Sequence, residues 1–456
     1  MPPSAIVRRC SLVALLLAAT SAAGQVVSQL TRASVSSAGE QAFGDSRAPR
    51  ISLGGRCVTF ASFANNLDPI GSAGRFQAFV RDLDLGITDL VSEAPGSLAG
   101  NGDSGVTPPA ASSDCRYVAF DSTAGNLVAN PTGGRRNVFL RDRQLGTTIL
   151  LSAGLAGAAP DGDSMSPTIS GDGAHVAFVS GASNLVAGDG NNGQDIFVWS
   201  RATGTLTRLL VESQHDAHHR STDDPQLSLD GERMVFLSIA PSFDVPEENG
   251  FYQIRYAERV DPISTGRVLS VDGLGNAGDR SSGHPRISAD GLWATFDSQA
   301  LNLPPACAPQ GLLCTGIYRV ALPSGHPSAV TPTDADGPSA AGGVSVYGDL
   351  VAFASDATNL VLPDADGHTD VLLGGPSIPG SFRVSESIAG GAADGESRDV
   401  TLADGGTRIA FLSYGTDLVA GDTNLAPDVF VTYVQVVVFG DGFESGGFGD
   451  WDSNQQ

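Results

Sequence analysis

Seven phenylalanines recur along this chain at nearly equal intervals, and that register limits what it can fold into more than any other feature. Phe60, Phe120, Phe178, Phe236, Phe296, Phe353 and Phe411 are separated by 60, 58, 58, 60, 57 and 58 residues. A serine follows each of them two positions later: Ser62, Ser122, Ser180, Ser238, Ser298, Ser355 and Ser413. Eleven positions earlier the first five copies carry Pro49, Pro109, Pro167, Pro225 and Pro285. A fixed period of this kind marks a repeat architecture. The array is therefore one unit, although 456 residues would otherwise suggest about three domains.

Each unit holds four strand-like pieces. In the third copy they are residues 168–170, 175–180, 195–199 and 206–211, with turns at 171–173 and 203–204. Apolar residues alternate along them, the pattern of half-buried strands. Four short antiparallel strands make one blade, which cannot cover both of its faces alone. Blades packed radially around a channel cover those faces, so seven copies predict an all-β, seven-bladed β-propeller. A content of 57 Gly and three Met suits such a turn-rich fold.

Ring closure also leaves a trace. The seventh copy stops at DVFVTYV without the glycine turn that precedes a fourth strand, and a matching piece, LTRASVS (residues 30–36), stands ahead of the first copy. The expectation is that residues 30–36 pair with residues 428–433 and complete the last blade. The alternative is that residues 434–438 fill that place.

At this point the chain resembles a family. PTISGDGAHVAFVS (residues 167–180) and PRISADGLWATFDS (residues 285–298) are similar to the propeller repeats of TolB-type bacterial envelope proteins, over about residues 30–433. The resemblance implies a periplasmic or secreted propeller that binds other macromolecules. It says nothing more specific about function, because the shared residues are those that form blades.

The N-terminus supports export. Arg8 and Arg9 precede an apolar run over residues 12–19 and small residues ending at Ala23, which predicts a signal peptide over 1–23, cleaved after Ala23. The run is too short to span a bilayer. The expected organisation is signal peptide 1–23, propeller 24–433 and a tail, 434–456, containing DGFESG and suited either to sorting or to disorder. In an oxidising compartment, Cys307 and Cys314 around a six-residue loop predict a local disulfide, and Cys57 and Cys115, at nearly equivalent repeat positions, are compatible with a second.

A formal net charge of −24 excludes nucleic acid and anionic membrane as partners and suits solubility, a cation or a basic partner. Three loops carry D-x-[DN]-x-x-x-D: Asp189, Asn191 and Asp195; Asp364, Asp366 and Asp370; Asp422, Asn424 and Asp428. Oxygens at alternate loop positions suit calcium, although the bidentate Glu of an EF-hand is absent. The same residues also form turns without metal. A second acidic series, Asp45, Asp103, Asp163, Asp279, Asp336 and Asp394, precedes the first strand of the units and belongs to the same face as those loops. His215, His218 and His219 share one loop, with no second cluster to complete a zinc site. The GDSG at residues 102–105 is a repeat position rather than a protease motif, since GDS recurs at 44–46 and 162–164, and no G-x-S-x-G occurs. The reading is a monomeric, non-catalytic exported propeller that binds a protein or cell-envelope component through its acidic loop face. The alternative is a hydrolase or lyase with carboxylates at the channel mouth.

Overall fold

A computed structural model describes residues 25–190, 193–209, 222–239, 250–303, 315–364, 366–376, 378 and 380–437. It is a seven-bladed β-propeller of four-stranded antiparallel sheets. The inner strands are Ser46–Ile51, Ala110–Ala111, Ser164–Ile169, Thr222–Leu227, Ser282–Ile287, Ser339–Val344 and Ser397–Leu402. Among the described residues helix is confined to single turns, Pro262–Thr265 and a 3-10 turn at Leu155–Gly157.

Each repeated residue has a packing or hydrogen-bonding duty. The repeat phenylalanines are fully buried, and five of them stack on an aromatic of the next strand: Phe60 on Phe79, Phe120 on Phe139, Phe178 on Phe197, Phe296 on Tyr318 and Phe411 on Phe430. Removing such a ring costs about 3–5 kcal/mol. The serine two residues later bonds the serine that opens the inner strand, as in Ser46 with Ser62 at 3.0 Å and Ser164 with Ser180 at 2.8 Å. Beyond the inner strand, the turn glycine lets the neighbouring blade sit close. Gly173 has φ 67°, and a Cβ there would lie 2.5 Å from Cδ2 of Tyr117 in the preceding blade. His175, Arg233, Trp293, Leu350 and Arg408 cover the matching glycines in the same way. In the second blade this glycine is replaced by Cys115, at φ 64°, and the covering residue is Cys57; the two form a disulfide. Cys307 and Cys314 lie outside the described residues.

The N-terminal strand closes the ring. Gln25–Arg32 pairs antiparallel with Asp428–Val437, in the register Leu30 to Thr432 and Arg32 to Phe430. Pairing thus begins upstream of the expected segment 30–36, and residues 434–437 extend the partner strand rather than forming a separate one. Ser34 shows the correct alignment: its Oγ donates to Asp428 at 2.6 Å, as Ser92 donates to Gln77 at 2.6 Å in the first blade.

Candidate functional site in the central channel

Inner strands carry a bulge that turns one residue per blade out of the regular pleat. Register shifts separate Arg47 from Arg50, Met165 from Thr168, Asp223 from Gln226, Gly283 from Arg286 and Arg398 from Thr401. At these bulges Ala48, Ser166, Asp224, His284 and Asp399 have φ of 52°, 52°, 45°, 45° and 53°. Bulges re-aim side chains, and positive φ in a residue other than glycine is strain that the surrounding structure must hold. All five line one cavity of about 690 Å3 on the propeller axis. Thr315, Asp356 and Thr369, beside the second and third strands, line it too, so it opens on the face predicted to be acidic.

Arg50 forms the floor of this cup. It reaches across from the first blade to donate to the carbonyl of Pro167 at 2.9 Å and to Oε1 of Gln226, whose amide donates to Asp224 at 2.6 Å. Below it lies a separate cavity of only about 50 Å3. Loss of hydration, reinforced by the like charge of Arg286, lowers the Arg50 guanidinium to about 10, still a cation at neutral pH.

The polar groups of the cup concentrate on blades three to five. His284 Nδ1 and Asp297 Oδ1 are 2.8 Å apart, which makes Nδ1–H the donor and leaves Nε2 for the lumen. Asp297 is buried, at 8% exposure, while the His284 side chain is 56% exposed. The hydrogen bond to Asp297 raises the His284 imidazole above its usual value, outweighing its partial loss of hydration. Arg286 pairs with Asp224 at 3.0 Å, and the Ser166 hydroxyl donates to Asp223 at 3.2 Å. Ser166 N–H donates to Thr107 Oγ1 at 3.0 Å, and that hydroxyl donates to Asp121 at 3.2 Å. Burial pushes the Asp121 carboxyl up to about 6. On the facing wall Asp356 accepts from Thr369 at 2.6 Å, Arg398 donates to Tyr414 at 2.7 Å, and Asp399 is exposed.

The sequence-derived sites lie elsewhere. In each of the three D-x-[DN]-x-x-x-D loops an arginine guanidinium sits between the end carboxylates. Arg208 lies 2.6 Å from Asp189 and 3.4 Å from Asp195; Arg383 lies 3.3 Å from Asp364 and 2.6 Å from Asp370; Arg32 lies 2.9 Å from Asp422 and 3.0 Å from Asp428. Asp366 accepts from the backbone N–H of His368, and Asn424 accepts from that of Ala426 while its amide donates to Ala42 O. Asn191 lies outside the described residues, as do His215, His218 and His219. No group of three or more His, Cys, Asp or Glu able to hold a metal occurs among the described residues. Calcium seated in these loops would have to displace the arginine. Titrating calcium into chelator-treated protein at fixed ionic strength is therefore expected to leave the melting temperature unchanged; a calcium-specific rise of several degrees would restore the metal reading.

The second acidic series is also occupied. Asp336 accepts from Thr358 N–H and Oγ–H, both at 2.7 Å, and Asp394 accepts from the same groups of Thr416, both at 2.6 Å; Asp279 accepts from Leu301 N–H at 2.7 Å. Asp161, which the sequence reading passed over, does the same with Ser183 at 2.8 and 2.6 Å. The hydroxyl bonds hold the Asp161 and Asp336 carboxyls below their usual range. In these four blades the aspartate staples the loop leading into the inner strand to the loop after the second strand of the same blade. The cup residues carry a signal in the sequence: the residue before the repeat proline changes from Ala48 to Ser166, Asp224 and His284 while the P-x-[IL]-S that follows is kept.

Comparison with protein-family models and with curated proteins finds no match. Solved structures similar to this chain include an oligogalacturonate lyase in complex with manganese, at 11% identity and TM-score 0.50, covering 91% of this chain and 99% of that one. TolB from Acinetobacter baumannii is 18% identical, with TM-score 0.36, over 65% of this chain; the chain spans 56% of that protein's length. A putative TolB from Agrobacterium tumefaciens is 16% identical, with TM-score 0.39, covering 68% of this chain and 89% of that one. At such identities the likeness is one of fold alone, and the seven blades are read from this chain's own sheets. No helix among the described residues is long and apolar enough to cross a membrane.

Proposed function

We propose that this protein is an exported, non-catalytic binding propeller, a scaffold that recognises a protein or cell-envelope component on the face where the cup opens and takes part of it into the cup. One observation carries the reading: in a fold built from near-identical units, the residues that break the repeat converge on one closed-bottomed cavity of about 690 Å3. The acidic rim is a weaker candidate, because its carboxylates are bound to arginine, threonine and backbone groups. Export is supported by the expected signal peptide and by the Cys57–Cys115 disulfide, which suits an oxidising compartment. The His284–Asp297 pair favours a second reading, a hydrolase or lyase working in the same cup.

Filling the cup tests the proposal. Ala340→Phe places a ring at the cavity wall, and capture of partner from envelope extract is expected to fall at least about tenfold, with an unchanged melting temperature. The rim variant Asp336→Ala is expected to retain capture. Undiminished capture by the filled variant would sink the reading.

A further inference from the structure

We infer that the cup seats a small polyol without negative charge, a neutral or amino sugar, and that His284 accepts a hydrogen bond from one of its hydroxyls. The inference rests on the cup being the ligand seat and adds the chemistry of what sits there. Three arginines line the cup, and each is already engaged. Arg50 is spent on Pro167 and Gln226, Arg286 on Asp224, and Arg398 on Tyr414. What remains for a ligand is mostly acceptors: His284 Nε2, the carboxylate of Asp399, and the second oxygens of Asp223 and Asp356. Asp399 has no hydrogen bond or ion pair among the described residues.

A ligand entering this lining has to bring donors, as hydroxyls and amines do. A carboxylate or phosphate would face the carboxylates of Asp223, Asp224, Asp297, Asp356 and Asp399, which outnumber the three arginines of the lining. Among the described residues no Phe, Tyr or Trp lines the cavity, so a sugar face finds no such ring to stack on. Recognition then depends on hydrogen bonds exchanged with water, whose net gain is small, and the dissociation constant for a single sugar unit should be ~1 mM. Asp297 acts as a positioning residue. In the neutral imidazole, which the raised His284 value confines to mildly alkaline solution, it fixes the tautomer that leaves Nε2 as an acceptor.

Nuclear magnetic resonance of the 15N-histidine-labelled protein reads this directly, with the His284 signals identified by their loss in His284→Gln. At a pH that keeps the imidazole neutral, glucosamine and N-acetylglucosamine are expected to shift His284 Nε2 saturably, with galacturonate at least about tenfold weaker and Nα-acetyl-lysine amide, which brings a single donor group to the cup, weaker than either sugar. In Asp297→Ala the proton is expected to redistribute towards Nε2 and sugar affinity to fall about tenfold, while the melting temperature holds; a merely structural Asp297 would move neither the tautomer nor the affinity. Galacturonate binding as tightly as glucosamine, or no sugar shift up to about 50 mM, overturns the inference. Binding of the lysine amide alone overturns it too and makes the occupant a basic side chain. If Ala340→Phe abolishes capture while no sugar reaches His284, the cup stands as the seat and the sugar assignment falls.

Discussion

Arg32→Ala is expected to destabilise the propeller by about 3–5 kcal/mol, because it strips the guanidinium from a buried pair of carboxylates at the point where the ring closes. The Arg32 side chain is 9% exposed, and those of Asp422 and Asp428 are 3% and 1% exposed. The pair joins the first described strand to the last, so its loss loosens the closure as well as leaving charge unmatched in a poorly hydrated place. Burial already raises the Asp428 carboxyl, with Arg32 opposing the rise. Without Arg32 the folded-state value climbs further above the unfolded one. Stability tied to a raised carboxyl is fully present below the unfolded value and is lost as pH rises through the folded value, so the variant's deficit is greatest at neutral pH and shrinks as pH falls towards about 4. Denaturant titrations of wild type and variant at two pH values measure this. A deficit below about 0.5 kcal/mol at pH 7 would mean that the clasp holds nothing.

Other blades show how the clasp can be rebuilt without charge. The position of Arg32, Arg208 and Arg383 is held by Leu90, Leu150, Val268 and Ala329 in the remaining blades, where the third strand opens with Gln77, Asn137, Gln253 and Gly316 instead of aspartate. Every blade with the aspartate has the arginine, and no other blade does. Arg32→Leu combined with Asp422→Asn and Asp428→Gln copies the neutral arrangement and is expected to recover most of the loss, as replacing a whole buried ion pair often does.

The same correlation shows where reading the sequence stopped short. The period of the repeats, the aromatic ladder and the number of blades were all legible, because burial of Phe60 and its equivalents forces them to recur. The clasp was legible in principle, but the aspartate-rich loops were read alone, and their partners lie on a different strand some distance along the chain. For the last blade the partner even lies at the opposite end of the sequence. Within the segment 30–36, Ala33 and Ser34 rather than Val35 and Ser36 take the place that Val91 and Ser92 hold in the first blade. A shift of two keeps every side chain on the same face of a strand, so alternation could not separate the two registers; the hydrogen bond from Ser34 to Asp428 does. The cup was hidden because its residues come from separate blades, joined only by the bulges that turn Ser166, Asp224, His284 and Asp399 towards one axis.

Removing the Cys57–Cys115 bridge is the other change expected to be large, and the repeats indicate how to repair it. The bridge closes a loop across a sequence separation of 58 residues, which in the chain-entropy model contributes about 4 kcal/mol. Cys57→Ala should lose most of that and also leave Cys115 at φ 64°, a left-handed conformation that a side chain occupies at a cost. The other interfaces between blades do without a bridge because a side chain lies on a glycine, as Tyr117 does on Gly173. Cys57→Tyr with Cys115→Gly installs that arrangement in the first interface: glycine removes the strain and opens the space that the ring needs. The double variant is therefore expected to be more stable than Cys57→Ala by about 1–3 kcal/mol, yet still below the bridged protein, since packing does not restrict the unfolded chain. Unfolding of the three proteins in denaturant, with and without reductant, decides the matter. Reductant should lower the wild type more than either variant, because the expected Cys307–Cys314 bridge is common to all three. A double variant no better than Cys57→Ala would show that the disulfide does not stand in for the side-chain-on-glycine contact of the other blades.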